Sequence, residues 1–348
     1  MNFFQNMISS IMKRTLKIDR LGLKDFGVLH KDSKRAVESV MSTTGEVSSV
    51  VYSEHLLDLI ENQTDDDLLK SLDDLIENYG IDIDDLSRDI KSYSLDKNKE
   101  NYKKITQSSE PKWIELFKRL NATSNGTSRL VRLRERIITL KRNHSKLDSL
   151  DAGLLDLFKY WFNPSFLVLE KIDWSTPANV LEKIIAYEAV HEINSWDDLR
   201  ARLAPNDRQC FAFFHPSIPD DPLIFVEVAL CQSIPESIQE IIKIERDEMD
   251  VDEANTAVFY SISNCQNGLS GISFGNFLIK QVAHKLKQEL PGLNKFVTLS
   301  PIPGLMNWLE KNAPLTHERC IDGISDDEDL MKKALIYLTE YGREDNLP

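Results

Sequence analysis

Cysteine is sparse and scattered: four residues, Cys210, Cys231, Cys265 and Cys320, none of them in a CxxC spacing. That excludes a disulfide scaffold, offers no zinc-ligand pattern and predicts free thiols in a reducing compartment. Long apolar runs are also missing; none approaches the roughly 20 residues needed to cross a bilayer. Positive charge is in deficit, with 42 Lys and Arg against 56 Asp and Glu and a net charge of -14. Such a balance argues against nonspecific binding to nucleic acid or to an anionic membrane, so an anionic ligand needs a local positive site. The opening MNFFQNMISSIMKRT has no basic stretch ahead of its apolar residues and no small-residue cleavage site. No secretory signal is expected there, a weak amphipathic targeting helix is left open, and the final EDNLP carries no peroxisomal tripeptide. The cytoplasm is the expected compartment.

The chain of 348 residues, 41% hydrophobic and 28% charged, is ordinary for a globular protein and suits two domains. Its first part reads as helical. Leu147, Leu150, Leu154, Phe158 and Trp161 recur at spacings of three and four, as do Leu130, Leu133, Ile137 and Leu140. The acidic stretches 65–67 and 82–85 fall between apolar clusters and read as solvated helix starts or turns. A helical bundle over 1–165 is expected. The pattern changes at Asn163-Pro164, and Thr176-Pro177 predicts a capped helix start. Apolar runs at 210–214 and 223–230, joined by HPSIPDDP, predict an antiparallel hairpin. A strand at 256–262, a helix and a strand at 295–300 predict parallel neighbours with a right-handed crossover. The fold class is therefore α+β, with an α/β domain over 166–348.

The stretch QNGLSGISFGN (266–276) is a glycine-spaced turn running into a long amphipathic helix that begins near Asn276. Glycines permit close backbone approach, and the free amides and dipole of the helix start favour an anion such as a phosphate. The spacing is neither a Walker loop nor a dinucleotide fingerprint. Ser300, followed by Pro301 and Pro303, offers a hydroxyl at a strand end, read either as a hydrogen-bond donor to a bound acyl group or as a local turn bond. His215 among aromatics reads as structural, and His191 as bonded within one helix to its neighbours. Glu227 at a strand centre is open to either reading. Arg129, Arg132, Arg134, Arg136, Lys141 and Arg142 crowd one helical segment, as a phosphate site or as a face of salt bridges. No metal-ligand pattern is found.

Five blocks of the chain resemble the malonyl-CoA decarboxylase family: NGTSRLVRLR (125–134), WFNPSFLVLEKIDWSTPANVLEKIIAYEAVHEI (161–193), CFAFFHPSIPDDPLIFVEVAL (210–230), NTAVFYSISNCQNGLSGISFGNFLIK (255–280) and LSPIPGLMNWL (299–309). The resemblance implies a helical N-terminal domain that assembles a homo-oligomer, followed by a domain of the GNAT acetyltransferase fold. It implies conversion of malonyl-CoA to acetyl-CoA and carbon dioxide with no metal and no added cofactor, CoA being part of the substrate. It places Gln266, Gly268, Ser270, Gly271, Ile272, Ser273, Phe274, Gly275 and Asn276 on the CoA and makes Ser300 catalytic. The family pattern continues past residue 348 into a Phe-His-Leu motif whose histidine donates a proton, so this sequence is expected to be incomplete at its C-terminus and its activity alone is in question. A helix over 330–341, with Leu330, Ala334, Tyr337 and Leu338 on one face, is expected to lead there. The rival readings are a noncatalytic CoA-binding or assembly subunit and a GNAT-type acyltransferase.

Overall fold

The computed structural model describes His30, residues 32–300 and Gly304. Cys320, Pro301, Pro303 and the helix expected over 330–341 lie outside the described residues. The described cysteines Cys210, Cys231 and Cys265 are unpaired. Among the described residues, no helix is long and apolar enough to cross a membrane.

Helices fill the first half: α1 (Ser33–Ser42), α2 (Glu46–Asn62), α3 (Asp65–Tyr79), α4 (Ile83–Leu95), α5 (Lys99–Ser108), α6 (Lys112–Asn121), α7 (Gly126–Leu140) and α8 (Asp148–Trp161). Both acidic stretches are helix starts. The Thr64 hydroxyl accepts from the Asp67 amide, and the Asp82 carboxylate accepts from the amides of Asp84 and Asp85. Their acidic first turns lie at the positive end of each helix dipole. The apolar spacing on α7 and α8 becomes burial, with Leu130, Ile137, Leu150, Leu154 and Phe158 fully inside. By contrast, α4 and α5 pair with each other, bury no residue completely and leave Ile83, Ile90, Leu95 and Tyr102 exposed.

The second half carries one five-stranded sheet in sequence order: β1 (Val168–Ile172), β2 (Arg208–Phe214), β3 (Ile224–Cys231), β4 (Thr256–Asn264) and β5 (Lys295–Thr298). The first four strands are antiparallel neighbours, and β5 runs parallel to β4. Between those two lies α12 (Gly275–Glu289), preceded in the chain by α9 (Ala178–Tyr187), α10 (Trp196–Leu203) and α11 (Ile238–Ile242). The antiparallel hairpin and the parallel pair joined through a helix are thus as expected, and the class is α+β. Strands β2 and β3 are buried on both faces, because helices cover each. Phe211, Phe213, Val226 and Val228 join α12 and the helical half in one continuous core. Cys210, Ala212, Phe214 and Phe225 face α9 and α10 instead.

Two local expectations are corrected. Thr176 does not cap α9; its hydroxyl turns back to accept from the Asp173 amide at 3.0 Å, and Pro177 occupies the cap position with no side-chain bond. The strand expected to reach Ser300 ends at Thr298.

Glu227 sits at the centre of β3, fully buried. Arg202 of α10 donates to its Oε2 at 3.0 Å, while its Oε1 has no hydrogen-bond partner among the described residues. Burial pushes its pKa from 4.5 up to about 7, and the Arg202 charge only partly opposes that. A carboxyl whose folded pKa is raised contributes stability below its unfolded value and loses it as pH climbs through the folded one. Stability linked to this group should therefore fall between pH 4.5 and about 7. Glu227→Gln removes the titration, so its melting temperature should change less across that window than the wild type's. Thermal melts on either side of the window check this, and equal slopes for the two proteins would show that Glu227 does not titrate there.

Candidate functional site

The turn that leaves β4 is seated on α7. Its 3-10 segment, Asn267–Leu269, lies so close to the helix that a Cβ on Gly268 would stand 2.0 Å from the Val131 carbonyl oxygen. Only a residue without a Cβ fits there. One turn along α7, Arg134 is buried and donates through one terminal nitrogen to the carbonyls of Gly268 at 2.7 Å and Ser270 at 2.9 Å. Its Nε donates to Asp151 of α8 at 2.8 Å, and Lys141 donates to the other oxygen of the same carboxylate. Glu135 accepts from the Asn267 side-chain amide at 2.9 Å. Val131, Arg134 and Glu135 stand three and four positions apart, so one helical face carries the whole contact.

Beyond this seat the backbone opens. Gly271 has a φ of +91°, which a side chain would strain, and it lies over Leu155 of α8. Among the described residues, the amides of Gly271, Ser273, Phe274, Gly275, Asn276 and Phe277 donate to no acceptor. The first amide of the region held by α12 is that of Leu278, which donates to the Phe274 carbonyl. A helix start with free amides and the positive end of its dipole is an anion site in chemical terms. Phe274 is buried beneath it, Ile272 and Gly275 are half-buried, and Ser270, Gly271, Ser273 and Asn276 are exposed. Gln266 points elsewhere: its side chain donates to the Pro222 carbonyl at 3.3 Å, tying the turn to the β2–β3 connection. Gln266 and Gly268 thus hold the turn in place, and residues 270–276 present its open side. Ser300 is exposed, two positions past the end of β5.

Strand β4 changes course beside this turn. In the ladder with β3, Glu227 pairs with Ser261 and Val228 with Phe259, so Tyr260 is an extra residue, a bulge. The parallel pairing with β5 runs only from Thr256 to Phe259. A polar cluster holds the bulge from the α9 side. His191 Nε2 bonds the Tyr260 carbonyl at 3.2 Å, and the buried Glu188 carboxylate accepts from the hydroxyls of Ser261 and Ser263. Glu188 also accepts from the amides of Val190 and His191. This corrects the expectation of a single helix here, since α9 ends at Tyr187 and His191 lies past it. Burial lowers the pKa of His191, favouring the neutral ring. His215 is satisfied at both nitrogens, by the Trp161 carbonyl at 3.0 Å and the Ser217 amide at 3.1 Å.

The basic residues of α7 divide by face. Arg129 pairs with Glu54, Asp58 and Glu61 of α2, Arg132 with Glu61, and Arg136 with Asp65. These are salt bridges within the helical half. Arg134 alone among them turns to the candidate site. Sequence reasoning left its partner open, missed Asp151, and saw in Glu188 only a neighbour of His191. A signal existed for Arg134: it stands four positions after Leu130 and three before Ile137, on the buried stripe of its helix.

Residues 165–336 match the Malonyl-CoA decarboxylase C-terminal domain family, and residues 79–162 match the Malonyl-CoA decarboxylase N-terminal domain family. The fold is similar to the crystal structure of malonyl-CoA decarboxylase from Rhodopseudomonas palustris, with a TM-score of 0.78 at 43% identity, over 88% of this chain and 79% of that one. The Agrobacterium vitis structure gives a TM-score of 0.79 at 44% identity, over 88% and 78%. The mitochondrial malonyl-CoA decarboxylase of Anser anser anser is 40% identical over 205 residues, which is 57% of this chain and 40% of that protein. The chain thus matches less than half the length of that relative.

Replacing Gly268 with Ala places a methyl group against a helix carbonyl that cannot give way. Overpacking of this kind costs about 1–3 kcal/mol. Urea unfolding of Gly268→Ala should show a loss of that size, whereas wild-type stability would mean that the turn does not rest on α7.

Proposed function

Because the chain belongs to the malonyl-CoA decarboxylase family, we propose that it converts malonyl-CoA to acetyl-CoA and carbon dioxide. The observation that carries this reading is the set of amides at Gly271 and from Ser273 to Phe277, at the start of α12, which donate to no acceptor among the described residues. The CoA diphosphate binds there, with Ser270, Gly271, Ile272, Ser273, Phe274, Gly275 and Asn276 as the contact segment. Gln266 and Gly268 support that segment from behind. The acyl arm follows β4 towards the Tyr260 bulge, where pairing with β5 stops.

Decarboxylation breaks the bond between the α-carbon and the carboxylate. Its electron pair passes into the thioester as an enolate, carbon dioxide leaves, and a proton adds to the α-carbon. The barrier falls when fixed donors hold the enolate oxygen better than water does. Ser300 is the hydroxyl we assign to the reacting malonyl group. Diphosphate binding at a distance positions that group without taking part in the chemistry. The thioester is its own electron sink, so the reading calls for no metal and no added cofactor. The cytoplasm remains our proposed compartment.

Incubation with malonyl-CoA tests the activity directly: acetyl-CoA should accumulate, and Ser300→Ala should slow its formation by about 10²-fold, the cost of losing one fixed donor. Acetyl transfer to amine acceptors without malonyl-CoA turnover would instead support an acetyltransferase.

We further propose a homo-oligomer assembled through the helical domain. Support comes from the α4–α5 pair, whose Ile83, Ile90, Leu95 and Tyr102 face solvent. Light scattering should give a mass above that of one chain, and Ile90→Asp should lower it. A wild-type mass equal to one chain would contradict this assembly.

A further inference from the structure

We propose that Arg134 is a positioning residue for the bound diphosphate, so that the helical half of the chain sets the affinity of a site formed by the sheet half. The inference rests on the CoA reading given above.

A trans peptide is planar, with its carbonyl and its N–H pointing in opposite directions. Fixing one therefore aims the other. The Ser270 carbonyl is held on the buried Arg134 guanidinium at 2.9 Å, beneath the turn. The N–H of that same peptide belongs to Gly271 and must point away from the protein interior, where no described acceptor takes it. The Gly268–Leu269 peptide, two along the chain, is held in the same way, but there the Leu269 amide is used internally, donating to the Gln266 carbonyl at 2.9 Å. Arg134 thus orients one outward donor and stiffens the 3-10 segment behind it.

Net charge does not explain the effect. Arg134 and Lys141 share the carboxylate of Asp151, and Glu135 brings a second carboxylate to the turn, so the cations and anions balance. The contribution of Arg134 is the fixed direction of its hydrogen bonds from a buried position. Lysine cannot replace the guanidinium, because one ammonium lacks the planar fork that reaches Asp151 and both carbonyls together. Arg129, on the same helix and also buried in ion pairs, donates among the described residues to α2 carboxylates alone and supplies the control.

Calorimetry with CoA on the full chain is the test, with thermal melts alongside. The wild type should bind, Arg134→Lys should bind at least about tenfold more weakly, as expected for lost hydrogen bonds to a charged group, and Arg129→Lys should bind like the wild type. In malonyl-CoA turnover, Arg134→Lys should raise KM while kcat changes little, the signature of lost ground-state and transition-state binding alike. A wild type that fails to bind CoA removes both the site and this inference. A wild type that binds, with Arg134→Lys binding equally well or both variants weakened alike, leaves the site standing and overturns the role of Arg134. A fall in kcat without a change in KM also overturns it. If Arg134→Lys does not fold, Asp151→Asn takes its place, since it unties the guanidinium from its anchor. Several-fold weaker CoA binding supports the proposal, and unchanged affinity refutes it.

Discussion

A buried guanidinium holding two main-chain carbonyls constrains far more than its own surroundings. Arg134 can reach Gly268 and Ser270 only because Gly268 has no side chain to keep the turn off α7, and only because Asp151 balances a charge that burial would otherwise make costly. The seat of the turn then fixes where α12 begins, and with it where its free amides and positive dipole end lie. Because α12 is the crossover between β4 and β5, the same seat ties the parallel edge of the sheet to the helical half. Leu130 and Ile137 of α7 and Leu278 and Val282 of α12 belong to one core, so the polar contact and the apolar packing reinforce each other.

On the opposite face of the sheet, polar groups are buried in numbers that an ordinary core avoids. Glu188, Arg202 and Glu227 lie inside with Ser261 and Ser263, all near the Tyr260 bulge. Each unsatisfied buried group is expensive, and most of these are paired; Oε1 of Glu227, which has no partner among the described residues, is the exception. Their position accounts for the bulge. A hydrogen bond from His191 holds the Tyr260 carbonyl, and two hydroxyls anchor the strand just beyond it on Glu188. A strand fixed in that way can part from its parallel neighbour without unravelling, at the point towards which the acyl arm is proposed to run.

Much of this was legible in the sequence, for physical reasons that differ from element to element. Apolar spacing on α7 and α8 predicted burial because a helix repeats every 3.6 residues whatever packs against it. The hairpin of β2 and β3 and the crossover through α12 followed from chain order and handedness alone. What stayed hidden depended on long-range partners. Arg134 finds Gly268 and Ser270 across more than a hundred positions; its place on the buried stripe sets it apart from Arg132 and Arg136, which pair within the helical half, but nothing local names those two partners. Thr176 looked like a cap, yet Asp173, three positions earlier, offered its hydroxyl a nearer partner. Glu188 could be read only as a neighbour of His191, because its partners Ser261 and Ser263 arrive on a distant strand. The glycine-spaced turn was visible, but whether a given glycine faced a ligand or a helix was not. Gly268 faces the helix, and Gly271 is on the open side.

Hydrogen exchange with and without CoA tests the central claim, that the outward amides between the turn and α12 hold the diphosphate. Their exchange should be fast in the free protein, since among the described residues those of Gly271 and of Ser273 to Phe277 donate to no acceptor. Saturating CoA should slow exchange over 271–277 and leave the exposed basic side of α7, around Arg132 and Arg136, unchanged. Protection along α7 with none at the turn would place the ligand on the basic helix instead and contradict the account.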